Sequence, residues 1–122
     1  MARRIFYALL LTVLVAASGV ALLAHMKATR TDPAANANLA ASPARIQVWF
    51  TQAPDAKVSK LDLAGPGGVA KLTGFKVTGE KSIVAAVEGT LADGRYTARW
   101  QSAGNDGHIQ KGEFAFSVKQ AR

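Results

Sequence analysis

The chain has 122 residues, 15 Lys plus Arg against 8 Asp plus Glu, a formal charge of +7, two His and no Cys. One domain is the expectation, since domains commonly run to about 100–150 residues. The missing cysteines exclude a disulfide scaffold, a thiolate metal cage and a cysteine nucleophile, and two histidines alone cannot build a four-ligand N/S site.

Arg3 and Arg4 precede an apolar stretch from Ile5 to Ala24, interrupted only by Thr12, Ser18 and Gly19. A positive end, an apolar block and a small-residue exit are the parts of a secretory signal, and Ile5 to Val15 fits its usual apolar length of about 7–15 residues. Cleavage is expected between Ala24 and His25, with Ala24 at −1 and Leu22 at −3; Ala21 offers an earlier exit. The alternative is an uncleaved anchor, because the run approaches the roughly 20 residues of a membrane helix. Residues 1–24 thus read as a signal peptide or hydrophobic anchor helix, and residues 25–122 as the folded domain.

Removing that segment takes away Arg3 and Arg4, leaving 13 basic against 8 acidic residues, or +5 over 98 residues. The remaining cations are scattered, with no run of four, and neither Trp49 nor Trp100 lies in a basic cluster. A nucleic-acid site needs a concentrated positive face with stacking aromatics. No nucleic-acid partner is expected, and the charge reads as a solvated surface that aids solubility.

From Thr29 to Pro43 the chain is rich in Ala, Asn and Pro and reads as an extended, turn-rich lead-in. Ile46, Val48 and Phe50 then alternate with Gln47, Trp49 and Thr51, the period-two signature of a half-buried strand. Ser59, Leu61 and Leu63 repeat it before the breaker Gly65-Pro66-Gly67-Gly68. Leu72 to Val77 and Ser82 to Val87 are two more candidates, separated by Thr78-Gly79-Glu80-Lys81. Asp93-Gly94 is a turn signal, followed by Tyr96, Ala98 and Trp100 on one side of a strand. Phe114, Phe116 and Val118 mark the last strand. About seven short strands at spacings near 8–12 residues argue for an all-β, immunoglobulin-like antiparallel β-sandwich. Phe50, Tyr96, Trp100, Phe114 and Phe116 are its expected aromatic core.

Chemistry is concentrated in the two histidines. His25 would become the N-terminus, where its α-amine and imidazole can close a chelate ring on one ion. Asp106 and His108 are two apart, so on an extended segment both project from one side. Three nitrogens and one or more carboxylate oxygens suit tetragonal Cu(II), which heads the divalent affinity order, better than tetrahedral Zn(II). The competing reading is structural: Asp-Gly is a common turn dipeptide, and His108 can be a solvated residue beyond it.

An ordered set of motifs runs along the chain. His25 stands eight positions before Pro33, and Val48-Trp49-Phe50-Thr51-Gln52-Ala53-Pro54 reads as a strand ending in Phe and the turn after it. Leu91-Ala92-Asp93-Gly94-Arg95-Tyr96-Thr97-Ala98-Arg99-Trp100, Asp106-Gly107-His108 and Gly112-Glu113-Phe114-Ala115-Phe116-Ser117-Val118 complete the series. In this order and spacing the set resembles the CopC (PcoC-type) periplasmic copper-binding proteins, over about His25 to Val118. The resemblance implies a seven-stranded sandwich that holds Cu(II) through His25, by amine and imidazole, with Asp106 and His108. Three positions depart from the family. Gln52 replaces an acidic residue that can sit near copper, and Gly104-Asn105 replaces Ser-Ala. The methionine-rich Cu(I) segment is absent, since Met1 and Met26 are the only methionines.

The implied function is that of a periplasmic copper carrier or buffer in copper resistance and homeostasis. It would act as a monomer, able to deliver to a membrane copper transporter. A metal-free, immunoglobulin-like interaction module, anchored if residues 1–24 stay attached, is the competing class. Enzymatic activity is not expected. N-terminal histidine chelates also serve polysaccharide-attacking copper oxygenases, but so small a chain offers little substrate face, and Asp106 would crowd the oxygen position. No nucleophile–base pair or phosphate-binding glycine loop is present; Gly65-Pro66-Gly67-Gly68 reads as a turn.

Overall fold

Ile46, Val48 and Phe50 turn inward from one strand, and Tyr96, Ala98, Phe114, Phe116 and Val118 meet them from the other side of a shared core. The computed structural model describes residues 25–121; the expected signal segment 1–24 lies outside the described residues. Among these, the elements are all strands: β1 (Ala28–Asp32), β2 (Asn38–Leu39), β3 (Arg45–Phe50), β4 (Lys60–Gly65), β5 (Gly68–Ala70), β6 (Leu72–Thr78), β7 (Ser82–Val87), β8 (Gly94–Ser102) and β9 (Gln110–Val118).

They form two sheets, ordered β1-β3-β7-β6 and β2-β9-β8-β4-β5. Five of the strands, β3, β4, β7, β8 and β9, follow the alternation in the sequence, because one face of each is buried; β6, also expected, is an edge strand with no buried residue and only Leu72 and Val77 packed against the core. Ile83, Ala85 and Val87 of β7 complete the inner face of the first sheet, and Leu61 and Leu63 of β4 that of the second. Burying each large apolar side chain stabilises the fold by about 1.5–3 kcal/mol. Aromatic contacts add direction: Phe50 meets Trp100 edge-on at 5.1 Å between ring centroids, and Tyr96 stacks on Phe116 at 5.6 Å. The buried Tyr96 hydroxyl donates to the Ala92 carbonyl at 2.7 Å, so its polar tip is satisfied.

Three strands lie outside the expected set, and the turn-rich lead-in is corrected in part. β1 falls inside it, pairs antiparallel with β3, and stops at the cis peptide Asp32–Pro33. Its sequence, Ala-Thr-Arg-Thr-Asp, puts no side chain into the core, so it carries no alternation to read. β2 is two residues long and pairs with β9 in parallel, the exception to an antiparallel sandwich. β5 is the return arm of a hairpin whose turn is Pro66-Gly67, within the expected breaker. Asp93-Gly94 is not a hairpin turn but the entry to β8 after the chain crosses from one sheet to the other.

Two junctions matter for function. The residues before β1 emerge beside the C-terminal end of β3, since Ala28 pairs with Phe50. The β8–β9 connection, residues 103–109, leaves the second sheet at the same end, because Phe50 packs on Trp100 near the end of β8.

Candidate metal centre

At that end the segment before β1 is fastened to β3's exit. Lys27 N–H donates to Thr51 Oγ1 at 3.0 Å, and Thr51 N–H returns a bond to the Lys27 carbonyl at 2.9 Å. Met26 points inward and is 2% exposed, part of the core cluster. Its neighbour His25 therefore faces out, with 49% of its side chain exposed.

The other two candidates come from the β8–β9 connection. Ala103 is buried, and the chain then turns tightly, with Gly107 N–H donating to the Gly104 carbonyl at 3.1 Å. Gly107 has φ +74°, a left-handed conformation that suits glycine. His108 N–H donates back to Asp106 Oδ1 at 3.1 Å. Asp106 and His108 thus share a side because of a turn closed by an aspartate side chain, not because the segment is extended as the spacing suggested.

The two segments converge. His25 Nδ1 lies 2.7 Å from Asp106 Oδ2, and His108 Nδ1 lies 3.4 Å from the same oxygen. The two imidazole rings are 5.3 Å apart and tilted by 37°. One ligand atom from each of His25, Asp106 and His108 falls within 4.8 Å of the others, although 81 residues separate His25 from Asp106. Donors on one small ion at about 2.0–2.2 Å each stand about 3–4 Å apart, so modest side-chain rotation closes the set.

Electrostatics favours an anionic Asp106. Its carboxyl is held below the ordinary value of 3.8, first by the His108 N–H and then by the His25 hydrogen bond and both imidazoles, against a desolvation penalty. An ionised carboxylate between two imidazoles is the state a divalent cation requires.

Gln52, in the turn after β3, directs its Oε1 to the backbone N–H of Asn105, which donates to it at 2.9 Å. Other supports had no signal in the sequence. Asp55 N–H donates to the Ala103 carbonyl at 2.9 Å, and Ser59 Oγ touches both the Asp55 carbonyl at 2.6 Å and Ser102 Oγ at 2.7 Å. These bonds press the loop after β3 against the end of β8. A cleft of about 560 Å³, lined by Asn38, Asp93, Arg95 and Lys119 among others, lies at the opposite end of β8 and β9 from the histidines.

Fold and cluster together describe a β-sandwich domain with a candidate metal centre on one rim. The CopC domain model matches residues 28–119, and the chain belongs to the CopC family. Asp106 and His108 fall inside that match, and His25 precedes it. Protein YobA of Escherichia coli K12 is 33% identical over 103 residues, which cover 79% of this chain and 80% of YobA. CopC from Methylosinus trichosporium OB3b shares the fold at a TM-score of 0.72 and 23% identity, covering 80% of this chain and 97% of that one. PcoC from Escherichia coli, a methionine-rich copper resistance protein, matches at a TM-score of 0.71 and 25% identity, covering 79% of this chain and all of PcoC.

Proposed function

We propose that this chain is a periplasmic Cu(II) carrier or buffer, working in copper resistance and homeostasis as a monomer without catalytic turnover. The observation that carries the reading is the meeting of His25, Asp106 and His108 across 81 residues of chain. Membership of a family that includes a copper resistance protein names the metal.

In this reading the export signal is cut after Ala24. The freed α-amine of His25 then binds the ion together with Nδ1, the ring nitrogen nearer the backbone, which closes a six-membered chelate. Nδ1 is also the atom turned toward Asp106. Amine, two imidazoles and a carboxylate form an N/O set of the kind that favours Cu(II). The side chains of His25 and His108 are 49% and 70% exposed, so an acceptor can reach the ion without unfolding the sandwich. A membrane copper transporter is the proposed acceptor.

The test is a titration of Cu(II) into chain beginning at His25, followed by its d–d absorption band and tetragonal EPR signal. The same protein carrying two extra residues before His25 lacks the free amine at that position and should lose the chelate. Equal binding by both forms, or a mature protein isolated with another N-terminus, would sink the four-donor site. Unchanged titration of His108→Ala would favour a metal-free interaction module.

A further inference from the structure

Three segments meet at Gly104. A Cβ placed on it would collide with Oε1 of Gln52 and stand 3.1 Å from Cβ of Met26. The residue following His25, the exit of β3 and the start of the 104–107 turn are therefore packed together with no space for a side chain. Gln52 uses that closeness. Its Oε1 accepts the N–H of Asn105 at 2.9 Å, a bond between residues 53 apart. Asn105 is the first central residue of the turn, and a β-turn makes no internal use of the N–H at that position. Gln52 takes up this otherwise solvent-facing donor one residue before Asp106.

We infer that Gln52 is a positioning residue for the metal centre. Its amide oxygen ties the 104–107 turn to the exit of β3, and so sets Asp106 and His108 against His25 without itself holding the ion. This rests on the copper reading above. The turn is otherwise exposed from Asn105 to Ile109, and exposed turns open at small free-energy cost unless something ties them. His25 is already fixed through Met26 and Lys27, and the Asp55–Ala103 bond anchors the chain just before the turn; the Gln52 bond ties the turn itself, next to Asp106, and so helps hold the other two donors in register with His25. A neutral amide does this without adding a second carboxylate to the cluster. Gln52→Glu keeps an acceptor for Asn105 and adds a charge, whereas Gln52→Ala removes the tie.

The experiment combines amide exchange of Asn105 in metal-free protein with Cu(II) titration and EPR, all on chain beginning at His25. In Gln52→Ala, Asn105 exchange should speed up and Cu(II) affinity should fall about fivefold, the usual worth of one hydrogen bond. The EPR parameters should match those of the parent, because no donor has changed. Gln52→Glu should keep Asn105 protected. Gly104→Ala, whose methyl displaces the Gln52 amide, should reproduce the fast exchange while the sandwich still melts cooperatively. Parent-like exchange and affinity in Gln52→Ala would overturn the inference, and so would an altered EPR donor set, which would make Gln52 a ligand. A parent chain that binds no Cu(II) would instead overturn the copper reading itself, a result distinct from unchanged exchange in Gln52→Ala.

Discussion

Lys27 and Thr51 exchange two hydrogen bonds, one from Lys27 N–H to Thr51 Oγ1 at 3.0 Å and one from Thr51 N–H to the Lys27 carbonyl at 2.9 Å. The pair extends the β1–β3 ladder past its last strand residue and fixes where His25 leaves the sandwich. Thr51→Val keeps the side-chain shape and the second bond but removes the acceptor for Lys27. The expected loss is about 0.5–1.5 kcal/mol, read as a fall in Tm of about 2–8 °C, with weaker Cu(II) binding. Wild-type Cu(II) affinity in this variant would show that His25 is placed by other contacts.

Met26 links the same segment to the core. Its side chain is 2% exposed within the central cluster, one residue from an exposed candidate ligand. Met26→Ala should destabilise by about 2–5 kcal/mol, the usual cost of truncating a buried large side chain, and should loosen the segment that carries His25. Met26→Leu, which preserves volume, should cost less than about 1.5 kcal/mol and leave Cu(II) affinity unchanged. Denaturant melts of the two variants, with Cu(II) titrations of each, check both statements. A Cu(II) affinity lost in Met26→Leu would mean that the thioether is needed for more than packing.

These two residues show where the sequence stops being legible. Ile46, Val48 and Phe50, or Phe114, Phe116 and Val118, declare their strands because every second side chain is buried. β1 was not legible, since Ala28–Asp32 contributes backbone pairing and no core residue. Its partner strand can be seen in the sequence, but the pairing itself leaves no pattern. The cluster of His25, Asp106 and His108 was legible as a set, yet the spacing suggested an extended segment where a turn with a left-handed Gly107 does the work. The bond from the Asn105 N–H to Gln52 Oε1 was out of reach, because a backbone N–H has no letter of its own.

Asp106 makes the stability of the metal-free protein depend on pH. Its carboxyl is held below 3.8, chiefly by the His108 N–H. A group whose pKa is lowered by folding contributes its stability fully above the unfolded value, and the contribution disappears as pH falls through the folded value. Asp106→Asn keeps an acceptor for that N–H but has no charge to lose. Thermal scans should place the parent above Asp106→Asn from about pH 5 upward, and the gap should shrink progressively as pH falls below 3.8. The gap will be small, because exposed charges are screened by solvent. A difference between the two that stays constant across this range would mean that ionisation of Asp106 does not stabilise the fold.

Oxidation state is a further control on the proposed copper site. Cu(I) prefers soft sulfur donors over carboxylate and amine. The chain has no cysteine, Met1 lies before the proposed cut, and Met26 is buried in the core. The sulfur-poor rim around His25, Asp106 and His108 should therefore hold Cu(II) and release copper on reduction. Copper-loaded protein treated with ascorbate should surrender its metal to the Cu(I) chelator bicinchoninate in one equivalent. Met26→Leu should behave identically, since its sulfur takes no part. Retention of Cu(I) against the chelator by the parent, with loss in Met26→Leu, would mean that the segment before β1 can swing Met26 out of the core to serve as a ligand.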